Sequence, residues 1–367
     1  MGTSSVSEIP TKMPRQSNLE LCRIVCMLLL IAHHCVVHGG AVGMDFCFNK
    51  YFSMLWMPVG KIAFDCFLAI SMWFLVDRNF KTERFLRIWL EVLFYSVVFF
   101  AVTMVFDGYL GLRNSVAVFF PIAGNSHGFA AAYLGFYLLV PFLVKITKGI
   151  TKKQCGFLLL VLFYLQCFSQ LFGHVTLYYQ SLFSELLLFL LMYYILYYLK
   201  HWPFSFQYRN GILFLILIAI YLFRFIYTDL IYAGTESSVV NFLLSLEIGG
   251  TESSILNIIG GICLFFVFNN IKMPVTPGIN KIAKATFGIL LIHDHNFFRS
   301  VLWQEIFHAQ NWYYSHFFVI YFILTVLTVF VCCTMIDLLR MHYLENPVFR
   351  IEKLKAFCVK FDRMINV

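Results

Sequence analysis

Apolar blocks of about 18–25 residues recur along the whole chain, and they constrain its fold more than any other feature of the sequence. A helix needs that length to cross the ~30 Å hydrocarbon layer of a bilayer. Of the 367 residues, 60% are hydrophobic and 13% charged, whereas about a quarter of the residues in soluble domains are charged. Backbone polar groups in lipid must bond internally, so the blocks predict an all-α integral membrane protein, a bundle of about ten transmembrane helices.

We expect three regions along the chain: a disordered cytoplasmic arm over residues 1–17, a transmembrane domain over 18–339, and a basic cytoplasmic tail over 340–367. The ten predicted spans are Asn18–His38, Pro58–Val76, Arg84–Phe106, Phe129–Ile146, Cys155–Gly173, Gln180–Leu199, Gly211–Tyr232, Ser253–Ile271, Ile282–Trp303 and Tyr313–Leu339.

Lysine and arginine are distributed unevenly between alternate loops. If the N-terminus is placed in the cytoplasm, all but five of the 27 basic residues fall on the cytoplasmic side. The five exceptions are Lys50, Lys61, Arg113, Arg224 and Arg299. The positive-inside rule therefore predicts that both termini are cytoplasmic. The net charge of +8 does not indicate nucleic-acid binding, because the basic residues sit in short loops between apolar blocks.

The eleven cysteines show no C-x-x-C spacing, and most of them lie inside apolar blocks. We expect them to pack as small hydrophobic side chains and to form neither a disulfide framework nor a metal site.

Charged residues inside membrane helices are costly and usually face the bundle interior, so they are the first candidates for a site. Arg23 and His34 in the first span are eleven residues apart, which places them within ~20° of one helix face and ~16 Å apart along the axis. His34 could act as a general base near neutral pH, and Arg23 suits a phosphate-bearing substrate. Alternatively, Arg23 snorkels to the headgroups and His34 bonds a neighbouring helix.

Arg84 and Arg87 begin the third span, three residues apart on one face. They could bind an anion at the inner surface, although a cluster of this kind is also typical of an ordinary positive-inside signal. The ninth span contains the string His293, Asp294 and His295. On a continuous helix the two histidines point ~200° apart, so we expect no metal ion there.

The sequence resembles the acyltransferase-3 family of membrane O-acyltransferases. Arg23 and His34 match the R-x(10)-H pattern of its first helix, and Arg84 and Arg87 match its R-x-x-R. The late G-I-L-L-I-H ends at His293. Elsewhere the chain departs from the family pattern: Met72 follows Ser71 where Gly is usual, and Gly128 precedes Phe129 where Trp is usual.

The resemblance implies transfer of an acyl group, an acetyl group above all, from cytoplasmic acyl-CoA to a hydroxyl of a cell-surface or exported glycan or its lipid-linked precursor. Arg84, Arg87 and Arg23 would bind the donor phosphates. His34 would act as the base or as an acyl relay, two roles that the sequence does not separate, and His293 would assist it.

The partners implied are the lipid bilayer, acyl-CoA and a saccharide acceptor, with a homo-oligomer or a protein of a polysaccharide locus as a further partner. The expected location is the bacterial inner membrane, with many spans and no bound metal. The alternatives are a transporter or flippase of lipid-linked sugars, for which no internal repeat is visible, and a glycan polymerase, which would need a larger and more basic outer loop.

The orientation can be tested by labelling single cysteines from either side of the membrane. We expect residues 152 and 353 to react from the cytoplasm, and residues 236 and 252 from the opposite side. Labelling of residue 236 from the cytoplasm alone would overturn the predicted topology.

Overall fold

The structure is a computed structural model that describes residues 16–41, 45–106, 116–123, 127–168, 182–233, 237–238, 248, 250–296 and 298–366. These residues form an all-helical protein that contains no strand in the described ranges. The predicted N-terminal arm lies almost entirely outside them, as does residue 236.

Thirteen helices carry the labels used below: α1 (Ser17–Gly39), α2 (Phe48–Met54), α3 (Met57–Leu75), α4 (Thr82–Phe106), α5 (Gly128–Gly149), α6 (Lys152–Phe163), α7 (Leu182–His201), α8 (Asn210–Ala233), α9 (Ile255–Asn269), α10 (Pro277–Ile282), α11 (Thr286–His293), α12 (Phe318–Arg340) and α13 (Glu352–Ile365). Shorter helical turns cover Tyr164–Phe168, Ser205–Tyr208, Ala283–Ala285, Val301–Ile306, Ala309–Trp312, Met341–Glu345 and Asn346–Val348.

Six stretches among the described residues are helical, long and apolar enough to cross a membrane: Ser17–Gly39, Phe48–Leu75, Thr82–Val105, Gly128–Gly149, Asn210–Ile231 and Phe318–Val348. They coincide with the first four, the seventh and the tenth predicted spans. Helices α6, α7 and α9 lie at the fifth, sixth and eighth. The helical membrane fold is therefore confirmed, while the count of ten crossings and the location of the termini stay predictions.

The ninth predicted span, Ile282–Trp303, is not one continuous helix, so this prediction was wrong. Helix α11 ends at His293, a turn begins at Asp294, and helical structure resumes only at Arg299. Backbone can leave the helix within a membrane bundle where it is surrounded by protein or lines a polar cavity. The break therefore marks a place where lipid is excluded.

The centre of the bundle is α3, which packs against α1, α7 and α9, while α1 also packs against α11 and α12. Leucine, isoleucine and phenylalanine side chains remain exposed on α8 and α12, including Leu215, Ile226 and Leu324. In water so large an apolar surface would drive aggregation. These side chains suit contact with lipid, so α3 is interior and α8 and α12 are peripheral.

Glycines let α3 approach its two neighbours closely. A Cβ atom on Gly261 of α9 would lie 2.5 Å from the Asp65 Cβ and 2.7 Å from the Cys66 backbone nitrogen. A Cβ atom on Gly60 of α3 would lie 2.1 Å from the His33 ring of α1. Small residues at membrane helix contacts permit such backbone proximity, and here they set the distance between the helices that carry the site.

A buried ionic cluster joins α4 to α12. Arg340 donates to Asp337 (Nε–Oδ1 2.7 Å) and Glu345 (Nη1–Oε2 2.9 Å), and its Nη2 lies 3.1 Å from Glu91. The Tyr95 hydroxyl donates to Asp337 at 2.8 Å. Because a buried charge must be paired, this cluster constrains how the two helices can be arranged.

We expect Gly261→Ala to destabilise the protein by about 1–3 kcal/mol, because backbone atoms of α3 cannot move aside as a side chain can. The matched control is Gly135→Ala on α5, where an added Cβ meets nothing within 4 Å. Thermal unfolding in detergent should show a lower midpoint for the first variant only. Equal midpoints for both variants would contradict the close packing of α3 on α9.

Candidate active site

Helix α1 carries the first two predicted site residues, and the structure places each beside a different cavity. Arg23 lines a large cavity near one end of the bundle, and His34, three turns further along, lines a smaller one. We call them the basic cavity and the histidine cavity. The spacing inferred from the sequence thus holds, but the two side chains do not face one shared space.

The structure brings His34 and His293 into direct contact although 259 residues separate them in the chain. His34 Nδ1 lies 3.0 Å from His293 Nε2, and His293 Nδ1 lies 2.6 Å from the backbone oxygen of Ile289. Both histidines were predicted site residues. His293 is fully buried, whereas the His34 side chain is 13% exposed.

These contacts assign the hydrogens on both neutral imidazole rings. A carbonyl oxygen can only accept, so His293 Nδ1 carries the hydrogen and donates it to Ile289. The Nε2 of His293 is then an acceptor, and His34 Nδ1 must donate to it. His34 Nε2 is left with a free lone pair. The pair therefore holds His34 in the tautomer that can accept a proton at Nε2.

A carboxylate lies beside the two rings. Asp294 Oδ1 is 3.8 Å from His34 Nδ1, 3.4 Å from His38 Nε2 and 3.9 Å from Arg299 Nη1. Asp294 immediately follows the last residue of α11, at the point where that helix ends. A carboxylate at this distance stabilises an imidazolium if His34 takes up a proton.

The basic cavity has a volume of about 1650 Å³. Arginine and lysine side chains dominate its ionisable lining, and four glutamates offset part of their charge. The basic residues are Arg23, Arg78, Arg84, Arg87, Lys272, Lys281 and Lys284, and the acidic ones are Glu20, Glu83, Glu91 and Glu345. Such a lining attracts a polyanion of substantial size.

The two arginines of the R-x-x-R pair differ in their partners. Arg84 Nη2 donates to the Tyr133 hydroxyl at 2.9 Å, and within the described ranges no carboxylate forms an ion pair with it. Arg87 is bound by two carboxylates, with Glu83 and Glu345 both at 2.6 Å. Arg84 is therefore the more available of the two for an incoming anion.

Arg23, the third predicted arginine, forms an ion pair with a neighbouring glutamate. Its Nη1 lies 3.1 Å from Glu20 Oε2, one turn earlier on α1. Its guanidinium carbon lies 5.6 Å from the centre of the Phe74 ring. These contacts fix the side chain at the wall of the basic cavity, and three predicted arginines thus meet around one space.

The histidine cavity has a volume of about 350 Å³ and a mixed polar lining. Lys61 forms an ion pair with Glu252 at its wall. Glu185 also lines it, and the Oε2 atom of Glu185 is buried with no hydrogen-bond partner among the described residues. A cavity of this kind, with paired charges and a free carboxylate oxygen, can bind a neutral molecule that carries several hydroxyl groups.

Gly128 makes room for that carboxylate. A Cβ atom at residue 128 would lie 2.9 Å from Glu185 Oε1, so a larger side chain would displace Glu185. The position where this chain departs from the pattern of the family it resembles therefore decides the shape of the histidine cavity.

Phe129 lines both cavities. Its ring centre lies 5.0 Å from that of Phe64 on the side of the histidine cavity and 6.4 Å from that of Phe287 on the side of the basic cavity. Aromatic rings at these distances form a packed contact. Phe129 thus stands between the space beside His34 and the space beside the arginines.

Several residues of the histidine cavity were not predicted as site residues. Lys61 and Glu252 are 191 residues apart and carried no motif, and only folding brings them together. Asp294 was noted only as a member of the His293–His295 string. Its direct succession to His293 was the one available signal.

Among the residues that the structure describes, two groups of side chains have the spacing of metal ligands. Donor atoms of His34, His38 and Asp294 all lie within 4.8 Å of one another, and so do the sulfurs of Cys22, Cys26 and Cys66. The prediction that the cysteines pack as small hydrophobic residues holds for the buried ones, yet three of them also cluster. The expectation that the protein binds no metal stays a prediction.

Comparison with models of protein families identifies the family of this chain. The sequence model of the acyltransferase-3 family, described as an acyltransferase domain, matches residues 16–337, which is nearly the whole chain. No curated protein and no solved structure matches the chain.

Proposed function

Since this chain belongs to the acyltransferase-3 family and is a membrane acyltransferase, we propose that it is an acyl-CoA-dependent O-acyltransferase. In this proposal the acyl group is an acetyl group. The acceptor is a hydroxyl of a cell-surface or exported glycan or of its lipid-linked precursor. The observation that carries the proposal is the pairing of His34 with His293 at the wall of a polar cavity.

His34 is the general base of the proposed reaction. Its free Nε2 accepts the proton of the acceptor hydroxyl while the hydroxyl oxygen attacks the thioester carbonyl. The carbon–sulfur bond breaks, an ester forms, and the proton passes from His34 to the departing CoA thiolate. His293 positions the ring, and Asp294 stabilises the imidazolium between the two proton transfers.

A covalent route uses the same atom. His34 Nε2 would attack the thioester, CoA would leave, and the acceptor hydroxyl would then take the acyl group from the imidazole. The hydrogen bond from His34 Nδ1 to His293 leaves Nε2 free for either role.

The basic cavity is the proposed donor site, with Arg84, Arg87 and Arg23 binding the phosphates of CoA. Guanidinium groups bind phosphate in charge-assisted and often bidentate hydrogen bonds. Arg84 suits this role best, since its hydrogen-bond partner is a neutral hydroxyl. Arg87 would bind phosphate only by sharing its charge with Glu83 and Glu345.

The histidine cavity is the proposed acceptor site. The free oxygen of Glu185 would accept a hydrogen bond from a hydroxyl of the acceptor, and the pair of Lys61 and Glu252 would bind others. For the two substrates to meet, the thioester end of the donor must pass Phe129.

The proposed topology is ten crossings with both termini in the cytoplasm, in the inner membrane of a bacterium. The basic loops support this orientation. It places the basic cavity, with Arg84 at the start of α4, on the side where acyl-CoA is found.

The first test of this function is turnover of labelled acetyl-CoA by His34→Ala. We expect a loss of about 10²–10⁴-fold, the usual contribution of a proton-transfer group, with insertion and donor binding preserved. His33→Ala is the matched control: His33 also borders the histidine cavity, but its ring packs against Gly60 and its Nδ1 lies 3.3 Å from the backbone oxygen of Trp56. That variant should lower stability and retain turnover per folded molecule. Similar turnover in the two variants would reject His34 as the base.

The second test concerns the donor site. Arg84→Ala should raise the apparent KM for acyl-CoA about ten-fold or more, with a smaller change in kcat, since the loss is mainly of ground-state phosphate binding. Lys152→Ala removes a cation of the same predicted membrane side that does not line the basic cavity, and it should leave KM unchanged. Equal KM values in Arg84→Ala and the parent enzyme would show that the cavity does not bind the donor phosphates through Arg84.

A further inference from the structure

The C-terminal helix α13 caps the helix that carries the R-x-x-R pair. Asp362 Oδ1 accepts hydrogen bonds from the backbone nitrogen and the hydroxyl of Thr82, both at 2.7 Å. Thr82 is the first residue of α4. The first turn of a helix has unpaired N–H groups and a positive dipole end, which a carboxylate satisfies. In α4 that carboxylate comes from a helix 280 residues away.

Other contacts reinforce this connection. Asn366 bonds the backbone of Phe80 in both directions, at 3.1 Å as acceptor and 3.0 Å as donor. Arg87 is bound by Glu345, and its guanidinium carbon lies 4.1 Å from the centre of the Phe349 ring. The segment from 345 to 366 therefore holds the start of α4, which is the turn that directs Arg84 and Arg87 into the basic cavity.

A second face of α13 is not covered by any part of the chain that the structure describes. Phe357 and Met364 are seven residues apart, hence on one side of the helix, and they are 53% and 63% exposed. Lys353 and Lys360 are also exposed, and each lies four residues before one of the two, so the lysines project from the same side of the helix as the apolar pair. Exposed apolar residues beside lysines are typical of a helix that lies in a membrane interface.

A short connection joins α13 to a helix that is long and apolar enough to cross the membrane. Only residues 341–351 separate the end of α12 from the start of α13. Large apolar side chains stay exposed along that connection, at Tyr343, Val348 and Ile351. They continue the exposed apolar surface of α12 as far as Phe357. An uncovered apolar surface that runs directly on from a membrane helix fits a bilayer better than water.

The charge of the face selects the lipid. Lys353 and Lys360 lie on the same side of α13 as Phe357 and Met364, whereas Lys355 lies on the opposite side and is paired with Glu352 at 2.8 Å. We propose that α13 is an interfacial helix that binds the anionic lipid surface of the membrane that the chain crosses, and that this contact holds Arg84 and Arg87 in place for the donor. The effect of this contact on Arg84 and Arg87 rests on the proposed function, whereas the lipid contact itself does not.

The lipid contact is tested with nitroxide labels on the full chain in vesicles, after Cys332→Ser removes the exposed cysteine. A label at residue 364 should collide more with oxygen than with a water-soluble nickel complex. A label at residue 355, about 180° around the helix, should do the opposite. The preference at 364 should be stronger in phosphatidylglycerol than in phosphatidylcholine. Equal exposure to water at both positions would overturn the interfacial helix.

The effect on the donor site is tested by the Kd for coenzyme A in the same vesicles. The double variant Lys353→Glu/Lys360→Glu should raise Kd several-fold in phosphatidylglycerol and much less in phosphatidylcholine. Asp362→Ala should raise Kd in both lipids, because it uncaps α4. Glu352→Ala, which removes an exposed acid of the same helix, should change neither value.

The results separate the two halves of the proposal. A lipid-facing label at 364 together with an unchanged Kd in the lysine and Asp362 variants would overturn the coupling to the arginines. A parent protein that binds no coenzyme A in either lipid would instead overturn the proposed donor site, and the labels would still decide whether α13 binds the anionic surface.

Discussion

Hydrocarbon offers no hydrogen-bond partner to the backbone, and this constraint governs the whole structure. It requires helices wherever the chain meets lipid. It also explains why the break in the predicted ninth span, after His293, must be surrounded by protein or line a polar cavity. There the backbone turns inside the bundle and brings Asp294 beside the imidazoles of α1 and α11. A site for polar chemistry exists in this membrane protein because the helix stops where lipid is excluded.

The precision of the site comes from packing around α3. Gly60 accepts the ring of His33, and Gly261 lets α9 touch the backbone of α3. Close contact at these two positions fixes α1 against the rest of the bundle, and α1 in turn presents His34 to His293. Their hydrogen bond does more than hold two rings together. Since the Ile289 carbonyl dictates the tautomer of His293, it dictates that of His34 as well.

The two cavities differ in charge, and in the proposed reaction they bind different substrates. The basic cavity gathers arginine and lysine from four parts of the chain and suits a phosphate-rich donor. The histidine cavity contains balanced charges and a free carboxylate oxygen, as a polyhydroxyl acceptor requires. Phe129 lies between them. In the proposed reaction this arrangement lets two substrates approach one histidine from different directions without sharing a binding surface.

The sequence by itself determined what depends on local pattern. Long apolar blocks determined the helices, and the spacing of Arg23 and His34 determined that they share a face of α1. Polar residues within apolar runs marked His34 and His293, because polar groups inside membrane helices are costly and usually functional, and the R-x-x-R pair at the start of the third span marked Arg84 and Arg87. The tertiary structure decided what depends on contacts between distant segments. Three such features are the end of α11 at His293, the hydrogen bond between His34 and His293 across 259 residues, and the ion pair between Arg87 and Glu345. A fourth feature is the predicted basic tail, which forms a helix whose Asp362 caps the start of α4. Periodicity reports which face of a helix a residue occupies, but it contains no information about which other helix will face it.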